Sequence, residues 1–250
     1  RERIRGPFLI IVPRLQDAES LLEDLRFFQE DEKVPSLLFP PWETLPYDRI
    51  SPHPEIVQER VKCLFSLLKG QQAAFIAPVR ALMQKVLSPS DFEGSTLSIS
   101  VGEEVDRDHL VRFLNKNGFT PVRVVEERGD FSIRGAIVDV YAPPYDEPLR
   151  LEFDGDRLES IRRFETESQR SLTQSLMDQV ILLPARDIAG EDSHPHSSTL
   201  FDYFKGKGVI FVAEGEEVEI ANKAYAHLIQ EHYERALAKG QSTPPPESSY

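Results

Sequence analysis

The sequence predicts an α/β protein in which one parallel-sheet domain is interrupted by a second domain of α+β type. Three observations carry this. In residues 1–95, short continuous apolar runs closed by proline or glycine alternate with segments of helical period, as expected of strands buried on both faces and joined by crossover helices. From 96 to 182 the pattern changes to closely spaced alternating strands on short turn-rich links, which favour antiparallel pairing. At Val209-Ile210-Phe211-Val212-Ala213 the first style returns. The divisions are 1–95 for the first part of the α/β domain, 96–182 for the insertion, 183–240 for the return, and 241–250, with Pro244-Pro245-Pro246, for a linker or disordered tail.

Taken in order, Phe8–Val12 is a buried strand ending at Pro13, and Ala18, Leu21, Leu22, Leu25 and Phe28 repeat at helical spacing behind it. Leu37-Leu38-Phe39 is a second strand, stopped by Pro40-Pro41. A helix runs from Pro54 to Lys69, with proline in its first turn and Gly70 closing it. Ala73–Ala77 is a third buried strand, and a short helix follows from Val79 to Leu87. In the insertion, Leu97, Ile99 and Val101 alternate, and Asp106 caps a helix carrying Leu110, Val111, Phe113 and Leu114 that ends at Gly118. Strands are then expected at Pro121–Val125, Phe131–Tyr141, Leu149–Phe153 and Arg157–Phe164. After the return strand at 209–213, a long helix carries Val218, Ala221, Tyr225, Leu228, Ile229, Tyr233 and Leu237.

Composition narrows the function. Among 250 residues, 29 Lys and Arg face 42 Asp and Glu, a formal net charge of -13. A free-standing nucleic-acid binder has the opposite balance, because phosphate binding draws on cationic side chains. One cysteine, Cys63, excludes an internal disulfide and a CxxC metal site, and suits a reducing cytoplasm. No apolar run approaches the ~20 residues of a membrane span. The chain opens Arg1-Glu2-Arg3 without Met and without a signal peptide, which predicts a piece of a longer protein.

Catalytic patterns are missing. No GxxxxGK[ST] loop follows a strand to cradle phosphates. The strand at 209–213 leads into Glu214-Gly215-Glu216-Glu217, which reads as a helix N-terminus whose acids favour the dipole. No GxSxG elbow is present, and Cys63 reads as a structural thiol beside Leu64. His194 and His196 have no further ligands nearby, and His227 and His232 are five apart, off the spacing of a helical metal pair. No catalytic residue, metal site or cofactor is therefore expected.

One stretch stands out. From Arg123 to Arg170 every basic residue is arginine, eight of them against twelve acids. Arginine suits protein interfaces through its planar fork and weak hydration. On the strand Leu149–Phe153, Arg150 and Glu152 alternate with Leu149, Leu151 and Phe153, so the charged pair is expected toward solvent. Arg134 lies on the preceding strand, which is expected to pair with it. Two readings stay open at this point: a recognition surface, or surface charge pairing with Asp139 and Glu152 that contributes little.

Several strings resemble a known family. Pro41-Trp42-Glu43-Thr44-Leu45-Pro46-Tyr47-Asp48, with Ser51-Pro52 and Arg60, and then Ala77-Pro78-Val79-Arg80-Ala81-Leu82-Met83-Gln84, resemble the start of the bacterial transcription-repair coupling factors (Mfd). Gly129-Asp130-Phe131-Ser132-Ile133-Arg134-Gly135-Ala136-Ile137-Val138-Asp139-Val140 resembles the G-x-F-x-x-R-G-x-x-x-D core of UvrB-type domains. Leu149–Phe153, Thr166–Ser171 and Leu182–Arg186 continue it. The resemblance implies a degenerate helicase-like α/β domain of P-loop type, without a working nucleotide site, interrupted by a UvrB-type domain that recruits the damage-recognition protein UvrA. It assigns UvrA binding to Arg134 and Arg150, with Phe153 as apolar support or core. It places the ATP-driven DNA translocase and the RNA polymerase module further C-terminal, so that DNA and polymerase are partners only through other domains. The rest of the parent factor is expected as a further partner, in an autoinhibitory contact. Three departures stand out. Where the family has two adjacent aromatics after the second arginine, this chain has Phe153-Asp154. The resemblance also implies a first strand and helix ahead of Arg1 and a longer segment after Arg186. The rival readings are a UvrB-like ATP-dependent DNA enzyme and a DNA-binding scaffold.

Overall fold

The computed structural model describes residues 6–29, 34–48, 50–187, 198–204 and 208–250. It is a mixed α/β structure with one parallel sheet and two antiparallel-rich ones. The chain divides into two compact units, one made of 1–89 and 188–250, the other of 90–187. The contact boundaries thus fall at Ser90 and Asp187, where the pattern had suggested 96 and 182.

The first unit begins β1 (Phe8–Val12), α1 (Leu15–Phe28), β2 (Ser36–Leu38), α2 (Pro54–Leu68), β3 (Ala74–Pro78) and α3 (Val79–Leu82). β1 takes a parallel partner on each side, which is why its run is apolar throughout and Leu9 is fully buried. α1 packs Ala18 and Leu22 against Val12 and Ile76 of the sheet. α2 starts at Pro54, where a missing N–H costs nothing, and His53 Nδ1 accepts the N–H of Glu55. α3 is shorter than the helix expected to reach Leu87. Gln84 turns its amide oxygen to the Trp42 N–H, 2.8 Å, and Val86 leaves to bridge Ser198.

A short helix α4 (Pro89–Gly94) precedes the second unit's strands. These are β4 (Leu97–Ser100), then α5 (Arg107–Lys116), β5 (Thr120–Pro121), β6 (Asp130–Arg134), β7 (Ile137–Val140), β8 (Leu149–Asp154), β9 (Arg157–Phe164), β10 (Ser171–Met177) and β11 (Gln179–Leu182). Asp106 caps α5 by accepting the N–H groups of Asp108 and His109. The main sheet runs β10-β9-β8-β7-β6-β5, and β11 pairs with β4 in a separate ribbon. Its buried side joins Leu110 and Leu114 of α5 to Phe131, Val138, Leu149, Leu151, Phe153 and Ile161.

Two expectations fail here for stated reasons. The single strand at Phe131–Tyr141 is a hairpin: Gly135, at φ 60, opens a two-residue turn, so β7 lies between β6 and β8. The strand at Pro121–Val125 shrinks to two residues and pairs in parallel with β6. Pro121 has no N–H to extend a ladder, and the loop after it is held by the Asp130 carboxylate, which accepts from Glu126 and Glu127 N–H.

The chain re-enters the first unit through a 3-10 turn (Leu200–Tyr203), β12 (Val209–Val212), α6 (Gly215–Ala238) and α7 (Pro246–Ser249). β12 reads as buried but is the sheet edge, with one neighbour, and Ile210, Phe211 and Val212 are about half exposed. Over 241–250, where the sequence suggests a linker or disordered tail, an irregular stretch leads into α7. Tyr250 packs its ring 5.8 Å from Tyr47 and 6.2 Å from Tyr225. No helix among the described residues is long and apolar enough to cross a membrane.

Candidate functional site: an arginine pair on the main sheet of the second unit

Strand register builds the site. Ser132, Asp139, Arg150 and Arg162 stand opposite one another across β6 to β9, and Leu176 continues the row on β10. Directly opposed residues share a face, and Arg134, two residues beyond Ser132, shares it as well. The other face carries Leu149, Leu151 and Phe153 into the core.

Asp139 is the centre. Its carboxylate is 1% exposed and lies between two guanidinium groups. Arg150 donates from Nε to Oδ1 at 2.8 Å and from Nη2 to Oδ2 at 3.0 Å, a bidentate fork. Its Nη1 donates to the Gln169 carbonyl at 3.2 Å, and its guanidinium lies 4.7 Å from the Phe164 ring centroid. The hydrogen bond to Asp139 raises the Arg150 pKa against the opposing effect of burial, so the group remains cationic. Arg134 donates one Nη2 hydrogen to Asp139 Oδ2. That is the one donor it engages among the described residues, and its side chain is 45% exposed.

The two arginines therefore differ. Alternation had placed Arg150 toward solvent, but its side chain is only 12% exposed. The loop between β9 and β10 covers it. Gln169 holds that loop with its own N–H to the Glu165 carbonyl and its side-chain amide to Val125 and Thr166 carbonyls, at a left-handed φ of 57. Such a conformation in a residue other than glycine persists where surroundings determine it. Arg150 is a strut, and Arg134 presents its remaining donors outward. One carboxylate between two guanidiniums leaves the trio with a positive formal charge in a strongly acidic chain. Phe153, the third residue singled out by sequence, is 6% exposed and part of the core.

Glu152 and Arg162 extend the face. Glu152 accepts from Ser160 Oγ at 2.6 Å and lies 4.0 Å from Arg162 Nη2. Leu176 adds an apolar residue, 71% exposed. Sequence reading missed Phe164, Gln169 and the placement of Arg162. Arg162 had a signal, since β8–β9 pairing fixes what faces Arg150. A left-handed glutamine has none.

The cluster holds arginines in place. Elsewhere, burial and then the charge of Glu59 push the Cys63 thiol pKa up, and its Sγ donates to the Leu38 carbonyl. No group of three metal-binding side chains occurs among the described residues, and His194 and His196 lie outside them.

Residues 97–187, which include the whole arginine face, match the UvrB interaction domain family. Over 190 residues, 74% of the chain, the sequence is 40% identical to the transcription-repair-coupling factor of Myxococcus xanthus. It is 37% identical to that of Escherichia coli over 74% of the chain, and 34% identical to that of Haemophilus influenzae over 70%. The chain belongs to the transcription-repair-coupling factor family. It spans 16% of the length of the first two of these factors and 15% of the third. Within this coupling-factor stretch, the arginine cluster sits in the matched domain, while the Trp42 and Arg80 strings belong to the first unit.

Proposed function

We propose that this part of the coupling factor is a docking module that recruits UvrA during transcription-coupled nucleotide excision repair, and that it does so without a nucleotide site of its own. The observation that carries the reading is the Asp139-centred cluster, in which Arg150 is fixed on three sides and Arg134 is half exposed with its other donors uncommitted among the described residues. A pre-organised arginine loses little side-chain freedom on binding, and its fork suits carboxylates on a partner. Phe153 supports the face from beneath, as core. Leu176 and the partly exposed Arg162 lie in the same row and fit the rim of such an interface. Translocation along DNA and contact with RNA polymerase belong, on this reading, to other parts of a coupling factor.

The test is calorimetric titration of purified UvrA into this chain beside Arg134→Ala and the Arg134→Ala/Arg150→Ala pair, with circular dichroism as a check on folding. Loss of a desolvated arginine should weaken binding by about 2–5 kcal/mol. Undiminished binding by folded variants, or saturable binding of ATP to the wild-type chain, would refute the proposal.

A further inference from the structure

The first unit contains a cavity of about 910 Å³ at the carboxyl ends of its parallel strands. That is where open α/β sheets hold their ligands, and its size suits a small ligand or a few residues of peptide. Its chemistry is wrong for a phosphate. β1, β2 and β3 each run into proline at this edge, at Pro13, Pro40-Pro41 and Pro78. Proline has no N–H, so the strand ends that would supply a backbone anion cradle present apolar rings instead.

The charges agree. Glu19, Glu43, Glu55 and Glu59 line the rim against two arginines. Both arginines are engaged: Arg14 lies 3.4 Å from Glu217, and Arg80 donates to the Trp42 and Thr44 carbonyls while its guanidinium sits 4.9 Å from the Tyr225 ring centroid. Glu43 accepts the His53 N–H, and Glu59 lies 3.5 Å from Lys62. Glu19 and Glu55 are exposed. Between the strand ends and α6, the walls are Trp42, Ile56, Ala221, Ala224 and Leu228, spaced along the helix so that one stripe faces the cavity. Trp42 is fixed by its N–H to Gln84 and by Arg60, whose guanidinium lies 4.8 Å from its ring.

We propose that this crevice is a second docking site, which takes a short peptide segment carrying Lys or Arg beside large apolar side chains. The apolar side chains enter between Trp42 and α6, and the cation meets the Glu19 and Glu55 carboxylates. The site is built from the first unit alone and does not depend on the UvrA reading.

Trp42 is the one tryptophan of the chain, so its fluorescence reports occupancy. The 250-residue chain is titrated with a synthetic peptide alternating Lys with Leu and Phe, with the same peptide carrying Glu for Lys, and with ADP. The expected result is a saturable change with the basic peptide and none with the others. Two variants guard against general attraction of a cation to an acidic protein. Ala224→Phe fills the crevice at constant charge, and Glu19→Lys/Glu55→Lys reverses the rim. Each should weaken binding by about tenfold or more while circular dichroism stays unchanged. An equal response to the acidic peptide, a saturable response to ADP, or unchanged affinity in folded Ala224→Phe would overturn the proposal.

Discussion

Two buried arginines serve opposite ends in the two units. Arg60 on α2 is fully buried, donates from Nη1 to the Pro40 carbonyl at 2.9 Å and to Gln84 Oε1 at 3.1 Å, and lies 4.3 Å from the Phe39 ring centroid. It fastens the segment after β2 to the helix, and nothing of it reaches solvent. Arg150 on β8 is nearly as covered, yet it fixes a carboxylate that in turn fixes the exposed Arg134. Burial of a cation therefore does not mark a site by itself. What marks one is a buried charge that orients a neighbour with donors left over.

The sharpest way to break the comparison is to remove Arg60. Arg60→Ala would leave Gln84 and the Pro40 carbonyl short of a donor beneath two aromatic rings, and should cost about 3–5 kcal/mol of first-unit stability. Arg60→Lys should not restore it, because an ammonium cannot fill the planar slot. Urea unfolding followed by Trp42 fluorescence measures this, and a loss below about 1 kcal/mol would mean the contacts are incidental.

Asp139→Asn comes next. It keeps the shape but removes the counter-charge of a 12% exposed arginine, at a cost of about 2–3 kcal/mol to the second unit, and should release Arg134 so that UvrA affinity falls with it. Arg134→Ala separates the two effects. Its side chain is 45% exposed, so stability should change by no more than about 0.5 kcal/mol while UvrA binding drops. Calorimetry and urea titration on the same samples decide. A destabilisation by Arg134→Ala equal to that of Asp139→Asn would erase the distinction between strut and presenting residue.

Much of this organisation is visible in the sequence because it rests on local rules. Val12-Pro13, Pro54 and Gly70, and Asp106 before α5 mark element ends by their own chemistry. Alternation in Leu149–Phe153 separates core from charged face, and Asp139 could be named as a partner of the arginines before its register was known. What fails depends on neighbours. Apolar residues run on across the Gly135-Ala136 turn, so one strand was expected where the sheet has two. β12 has the composition of a central strand but lies at an edge, which only the sheet order reveals. Arg150 alternates toward solvent, yet a loop fixed by Gln169, 19 positions away, covers it. No local pattern encodes that cover.

The smallest effect concerns the first unit's tyrosines, where the sign can be worked out. Tyr47 sits at a left-handed φ of 64, with its ring 5.5 Å from Tyr233 and 5.8 Å from Tyr250, and its hydroxyl is buried without a hydrogen-bond partner among the described residues. Burial first, then the neighbouring Tyr233 and Glu247, push its pKa from 10.0 up to about 12. Burial raises Tyr250 as well. Between pH 10 and 12 the folded unit keeps a phenolic proton that the unfolded chain has released, so stability falls as pH rises through that window and is flat with respect to this group below it. Tyr47→Phe removes the titrating group and an unsatisfied hydroxyl together. Stability at neutral pH should hold or rise slightly, and the alkaline decline should shrink. Urea midpoints at pH 8 and pH 11, read by Trp42 fluorescence, test both parts. An unchanged decline in the Phe variant would assign it to other groups, and a drop at neutral pH would mean the hydroxyl has a partner after all.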